Sequence, residues 1–272
     1  MAGGKASTVK ETTGTHANVN GLSMYYEIHG AGTPLIVLHG GVAGIVMFGP
    51  ILPALSRTRQ VIAPEFQAHG RTADIDRPLR FDTLADDIVA LMKHLGIDKA
   101  DILGNSLGGA VALRIAIKHP EVVDRLVIVS HPFKRTGWYP EVRAAFDHMG
   151  PADAEGMKRS PLATLYPSLD WEGLFSKLGD LLRQDYNWAK EVEAIKAPTL
   201  LVFADADAIS TAHIMEFYGL LGGGKNDAGV DGSKRPNAHL AIVPGCTHYS
   251  ILTSPLIADV VGRFLDERRG VR

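Results

Sequence analysis

Six short, unbroken apolar runs narrow what this chain can fold into more than anything else. They are Leu35-Ile36-Val37-Leu38, Val61-Ile62-Ala63, Ile102-Leu103 after Asp101, Leu126-Val127-Ile128-Val129, Leu200 to Ala204, and Leu240-Ala241-Ile242-Val243. Each closes on Gly, Pro or a polar residue. A strand wetted on one face alternates apolar and polar, so unbroken apolarity requires burial on both faces, as in a parallel sheet covered by helices. Helical periodicity lies between several of the runs. Leu84, Ile88, Leu91 and Leu95 recur at helical spacing with Asp82, Asp86, Asp87 and Lys93 expected opposite. Leu107 to Lys118 is apolar nearly all round, which predicts a helix buried on most sides, and further helices are expected over 211–221 and 255–268. Ahead of the runs, Asn20-Gly21 separates Ala17–Val19 from Met24–Ile28 and supplies the positive φ angles of a hairpin turn. The fold expected is α/β: a doubly wound, mostly parallel sheet of about eight strands that begins with an antiparallel hairpin.

One interval breaks the rhythm. Residues 132–194 separate two strands and contain all three tryptophans, with breaks at Pro140, Pro151, Pro161 and Pro167. A stretch so long and aromatic needs helices of its own and something to cover. It reads as a helical lid, leaving residues 1–131 and 195–272 as the core. Residues 1–14 read as a mobile arm and Gly222–Pro236 as a surface loop.

Composition excludes several classes. With 28 basic and 30 acidic residues the formal charge is −2, which gives no electrostatic case for nucleic acid or an anionic membrane as partner. The single cysteine, Cys246, rules out an internal disulfide and fits a reducing compartment. The first fifteen residues lack the apolar segment of a secretory signal, and no apolar run approaches the ~20 residues of a membrane span. A cytoplasmic protein acting on a small molecule is the expectation, with oligomeric state left open.

The chemistry centres on Gly104-Asn105-Ser106-Leu107-Gly108-Gly109, a G-x-S-x-G directly after a strand and opening a buried helix. A serine lifted above a sheet needs a tight strand-to-helix turn, and glycines two residues either side remove the side chains that would clash. A serine hydroxyl is a poor nucleophile until a base takes its proton and an acid orients that base. Among eleven histidines, His248 follows the last strand in Val243-Pro244-Gly245-Cys246-Thr247-His248, four residues past its expected end. Ligands of open α/β sheets bind at that edge. His131, also after a strand, is a second candidate base or a pocket wall. The strand Leu200 to Ala204 runs into Asp205-Ala206-Asp207, offering two candidate acids, one of which is expected to cap the next helix or bind its own backbone. His39-Gly40-Gly41-Val42 follows another strand, and its small residues let a backbone N–H approach a carbonyl oxygen alongside the N–H of Leu107.

Gly219 to Asn226 nearly matches a phosphate-binding loop, but it follows a helix and ends in Asn, so it is set aside. No metal-ligand spacing occurs in the chain, and neither a metal nor a cofactor is expected.

Over residues 20–268 the chain resembles the α/β-hydrolase-fold serine hydrolases (esterases, lactonases and C–C hydrolases). Gly104–Gly108 resembles their nucleophile elbow, His39-Gly40-Gly41 their oxyanion loop, and Pro244–His248 their closing Pro-Gly-x-x-His segment. Phe203–Asp207 resembles their Gly-x-x-Asp segment, which aligns the acid with Asp207 rather than Asp205. The resemblance implies a Ser106–Asp207–His248 triad with Gly41 and Leu107 as oxyanion donors. Two segments depart from the pattern: Ala204 stands where Gly is usual, and Pro64–Arg71 replaces the familiar Pro-Asp-x-x-Gly-x-Gly loop. Phe66 in that loop is expected to reshape one pocket wall, with His131, Trp138 and Tyr249 as further pocket residues. The expected activity is cleavage of a small, largely apolar carboxylic ester or lactone through an acyl-enzyme. The first alternative is a C–C bond hydrolase acting on a 1,3-dicarbonyl-like compound, although those enzymes usually carry Trp where this chain has Tyr249. The second is a ligand-sensing protein on the same fold. Epoxide hydrolysis through an alkyl-enzyme needs a carboxylate nucleophile, which Ser106 is not.

Overall fold

The computed structural model describes residues 14–267, so nearly all of the expected N-terminal arm lies outside the described residues. Eight strands form one sheet: β1 (Thr15–Val19), β2 (Leu22–His29), β3 (Thr33–Leu38), β4 (Arg59–Pro64), β5 (Ala100–Asn105), β6 (Val123–Val129), β7 (Thr199–Ala206) and β8 (Ala238–Thr247). Their order is β1-β2-β4-β3-β5-β6-β7-β8. β1 and β2 form the expected hairpin and β2 pairs antiparallel with β4. Every pair from β4 through β3 to β8 is parallel. The unbroken runs have the expected cause. Ile36, Leu38, Ile102 and Ile128 enter one core while Leu35, Val37, Leu103 and Val127 enter a second core on the other face.

The helices in chain order are α1 (Leu52–Leu55), α2 (Phe81–His94), α3 (Leu107–Lys118), α4 (Pro140–His148), α5 (Ala154–Lys158), α6 (Pro161–Leu165), α7 (Trp171–Leu182), α8 (Ala189–Glu193), α9 (Thr211–Leu220) and α10 (Pro255–Asp266). α3 is buried along Leu107–Leu113 and at Ile115 and Ala116, as its apolar sequence requires. On α2 one expectation fails. Asp87 lies on the buried face, where Arg77 Nη2 donates to it at 2.5 Å and Asn20 Nδ2 at 3.0 Å. Its position three residues after Leu84 shares the apolar stripe, and a buried charge there is tolerated because it is paired.

Strand order locates the crevice. The chain runs from β3 outward to β4, then crosses back to β5 on the other side of β3. At such a reversal the loops leaving the two central strands diverge and open a cleft at their carboxyl ends. Those loops carry His39-Gly40-Gly41 and Ser106. Residues 132–194 supply α4 to α8, with Trp138, Tyr166, Trp171 and Trp188 all buried. No helix among the described residues is long and apolar enough to cross a membrane.

Candidate active site

Ser106 caps α3 with φ +52°, a left-handed value that a serine adopts only when its surroundings impose it. The flanking glycines are obligatory. A Cβ on Gly104 would stand 2.0 Å from the Gly108 carbonyl oxygen, and one on Gly108 would stand 2.0 Å from the Leu38 carbonyl oxygen. Ser106 Oγ donates to His248 Nε2 at 3.1 Å, and His248 Nδ1 donates to Asp207 Oδ1 at 3.0 Å. β8 runs to Thr247, so His248 follows the strand directly, with no four-residue loop between them.

The two aspartates have different partners. The Asp207 side chain is 1% exposed and accepts four hydrogen bonds. Besides His248, the donors are Ser130 Oγ at 2.6 Å, Ala204 N–H at 2.9 Å and Ala208 N–H at 2.8 Å. Burial alone pushes its pKa up; the bond and charge of His248, with Ser130 and Ala204, outweigh that and hold the carboxyl below its usual range. Asp205 instead accepts the N–H groups of Gly245 (3.0 Å) and Cys246 (3.1 Å), holding the loop that carries His248. Neither aspartate caps α9, whose cap is Ser210. Ser130, at φ +50° after β6, was missed by sequence reasoning, since nothing local marks a strand-end serine as the partner of a carboxylate 77 residues away.

Gly41 and Leu107 line the same cavity as Ser106. Leu107 is the first residue of α3, so its N–H has no partner within the helix. The cavity measures about 540 Å³. It is lined by Ser106 and His248, by Val142, Phe146, Met149, Leu178 and Leu182 from the inserted segment, and by Tyr249, which is 84% exposed. None of the described lining residues is Asp, Glu, Lys or Arg. Asn105 Oδ1 and His131 Nδ1, on two lining residues, are buried without a hydrogen-bond partner.

The expected pocket residues sort unequally. Trp138 lines the cavity and stands edge-on to His248 (5.3 Å) and to His131 (5.7 Å). His131 also lines it, stacked on Tyr186, but Ser106 is paired with His248. Burial, reinforced by the nearby His248 and His213, pushes the His131 pKa well below the usual histidine value, so it stays neutral. Phe66 is a correction. It is fully buried, 4.5 Å from the His39 ring, and does not line the cavity. The loop after β4 turns back at Ala68 and Gly70, both at positive φ, and packs the phenyl ring against His39 instead of turning it into the cavity.

The profile of the family described as alpha/beta hydrolase fold matches residues 33–169, half of the chain. With the sheet order and the elbow, this places the protein: the chain belongs to the alpha/beta hydrolase fold family. Among curated relatives it is 37% identical over 122 residues to a soluble epoxide hydrolase of Corynebacterium sp. (strain C12), covering 44% of this chain and 42% of that one. It is 38% identical over 104 residues to a 2-hydroxymuconate semialdehyde hydrolase of Pseudomonas sp. (strain CF600), covering 37% of each. The chain thus matches about two fifths of those relatives' length. Among solved structures, the enol-lactonase of Burkholderia xenovorans LB400 superposes with a TM-score of 0.72 at 22% identity, over 93% of this chain and all of that one. A thermophilic esterase from Thermogutta terrifontis gives 0.70 at 21% identity, over 94% and 98%. At such identities the likeness is one of fold.

Proposed function

We propose that this protein is a serine hydrolase that cleaves a small, largely apolar carboxylic ester or lactone through an acyl-enzyme on Ser106. The observation that carries the reading is the continuous line from Asp207 Oδ1 through His248 to Ser106 Oγ, with links of 3.0 and 3.1 Å, opening into an uncharged cavity. Ser106 Oγ attacks the carbonyl carbon while its proton passes to His248 Nε2, and Asp207 stabilises the imidazolium. The Gly41 and Leu107 N–H groups take the developing oxyanion, each worth about 2.7–4 kcal/mol in such a role. His248 returns the proton to the leaving alkoxide, then activates the water that releases the acid and restores Ser106. The helices of residues 132–194 act as the lid, supplying the apolar wall that excludes bulk water. The cavity falls within the roughly 300–1,000 Å³ of small-molecule sites. The lone Cys246 and balanced charge support a cytoplasmic setting.

The second reading is C–C bond hydrolysis of a 1,3-dicarbonyl-like compound. The similarity to the semialdehyde hydrolase supports it, as does the unpartnered Asn105 Oδ1, which a polar substrate could engage. The uncharged lining favours the ester or lactone, because an anionic substrate would be buried there without a counter-charge. The likeness to an epoxide hydrolase does not extend to the nucleophile, since Ser106 cannot form the carboxylate ester that alkyl-enzyme chemistry needs.

A fluorophosphonate probe followed by a substrate panel tests this. Labelling is expected on Ser106 and lost in Ser106→Ala, with burst kinetics on p-nitrophenyl esters or turnover of γ- and δ-lactones. Unlabelled folded protein would refute the nucleophile. Turnover restricted to 1,3-diketones would select the second reading, and labelling with no turnover at all would select a ligand-sensing protein.

A further inference from the structure

The loop bearing Gly41 is clamped more heavily than a glycine turn requires. Phe66 N–H donates to His39 Nε2 at 3.0 Å, which leaves the proton on Nδ1 to donate to the Gly40 carbonyl at 2.7 Å. Gly40 N–H points at Met47 Sδ, 2.9 Å away. Val42 sits at φ +62°, a strained position for a β-branched side chain that only its surroundings can enforce. Both ends of the loop touch the inserted helices. A Cβ on Gly41 would meet Leu178 Cδ2 at 3.1 Å, and one on Gly44 would meet Tyr166 Oη at 2.4 Å and Glu65 Oε1 at 2.5 Å.

Glu65 is where these segments join. Its side chain is wholly buried. Oε1 accepts from Ile45 N–H at 3.2 Å, Tyr166 Oη at 3.1 Å and Arg71 Nη1 at 3.3 Å, while Oε2 accepts from Arg71 N–H at 2.6 Å. Gly44 and Gly70 leave the room this carboxylate occupies, and the Arg71 guanidinium covers the Tyr25 and Tyr166 rings at 4.6 and 5.5 Å. One carboxylate therefore ties the end of the Gly41 loop, the loop after β4 and the residue that closes α6.

We infer that Glu65 and Tyr166 are positioning residues: the Tyr166–Glu65–Ile45 chain of hydrogen bonds couples the seating of the inserted helices to the oxyanion loop, so that Gly41 N–H reaches its working position only while those helices are closed over the cavity. The consequence for catalysis rests on the serine-hydrolase reading; the mechanical coupling does not. A carboxylate that accepts from both sides transmits displacement because hydrogen bonds of this kind weaken steeply with distance and angle. The two glycines around it mark a space that fits this side chain and little else.

The test uses Tyr166→Phe, which removes one hydroxyl from a packed ring, and Glu65→Gln, which keeps the shape but turns an NH₂ onto one side's donors; Glu65→Ala is avoided because it leaves the donors on both sides unpaired. Hydrogen–deuterium exchange of the peptide spanning residues 40–48 is expected to accelerate about fivefold or more in Tyr166→Phe, although the change is in the inserted segment. On a p-nitrophenyl ester, both variants should lose about tenfold in kcat with KM changed less than twofold, short of the 10²–10³ of deleting an oxyanion donor. Unchanged exchange in residues 40–48 would overturn the coupling. A rise in KM at constant kcat would overturn the positioning role and leave these residues merely part of the wall. If the native protein turns over no ester, lactone or 1,3-diketone, the serine-hydrolase reading falls by itself, and the exchange measurement still decides the coupling.

Discussion

Asp207→Asn distinguishes the two neighbouring carboxylates and can be worked through atom by atom. Oδ2 accepts from Ser130 Oγ and Ala204 N–H, and Oδ1 accepts from Ala208 N–H and His248 Nδ1. Asparagine offers one acceptor oxygen and one NH₂ group, so one of these pairs must face two hydrogens. If the oxygen stays toward Ser130 and Ala204, the NH₂ faces His248 Nδ1, which must become an acceptor. The imidazole then carries its proton on Nε2 and cannot take one from Ser106. The equivalent wrong tautomer in a serine-protease triad costs about 10⁴ in kcat, or about 5 kcal/mol. If the amide flips, catalysis keeps its tautomer but Ala204 N–H is left buried against a donor, at about 1–3 kcal/mol of stability.

The first orientation also opposes the NH₂ to Ala208 N–H, so both lose stability, and the melting temperature should fall by roughly 2–4 °C per kcal/mol. The assay is kcat and KM on a p-nitrophenyl ester at pH 8, beside a thermal melt, with Asp205→Asn as the control. Asp205 accepts backbone N–H groups, chiefly those of Gly245 and Cys246, at an exposed site and does not touch the His248 ring, so its amide should stay within about tenfold of native activity. Asp207→Asn at near-native kcat with Asp205→Asn inactive would refute the assignment of the acid and the role given to the 3.0 Å His248 bond.

Two further outcomes follow from strain and burial. Val42→Gly releases about 1–2 kcal/mol of left-handed strain against about 0.5–1 kcal/mol of added chain entropy and the loss of a half-buried side chain packed on the core, so the melting temperature should change by only a few degrees while kcat falls about tenfold as the loop bearing Gly41 loosens; a strongly destabilised variant with native kcat would contradict this. Burial holds His39 at a pKa of about 3 (helped by the neighbouring His69) and His69 and His213 at about 4 each. Unfolded histidines titrate near 6.5, so below that pH the unfolded chain gains protons the native chain refuses. Stability is therefore full above pH ~6.5 and falls toward pH 4 by up to about 1.4 kcal/mol per pH unit per histidine. Asp207, held low, adds to the loss as pH falls further through its native pKa. Denaturant midpoints between pH 7.5 and 5 that stay flat or rise on acidification would refute this.

What was legible in the sequence shares one property: the requirement is local. Gly104, Ser106 and Gly108 need one another within five residues, and the strand before and helix after them can be read from apolar patterning. His248 could be chosen because it follows the last strand, and the two-faced burial of β3 to β7 is written in their unbroken runs. What was illegible depends on partners far along the chain. Ser130 meets Asp207 across 77 residues and Tyr166 meets Glu65 across 101, and in neither case does the local sequence announce the partner. Phe66 was assigned to the cavity because an aromatic in a strand-end loop suits a wall, whereas its direction is set by the turns at Ala68 and Gly70 and by the Glu65 carboxylate that holds them.

The backbone shows why the site resists local reading. Among the described residues, five that are not glycine adopt positive φ: Asn20, Val42, Ala68, Ser106 and Ser130. Asn20 is the hairpin turn its sequence announces. The other four surround the candidate site: Val42 beside Gly41, Ala68 in the loop that packs Phe66 against His39, Ser106 at the elbow, and Ser130 on the acid. Each is a residue whose own preference opposes the conformation it holds, at about 1–3 kcal/mol apiece. Such positions persist only where the surroundings over-determine them, and here they flank the Gly41 loop, Ser106 and Asp207. Local preference is therefore overruled around the candidate site: the elbow motif and the strand-end His248 can be read locally, but the contacts that enforce these conformations cannot.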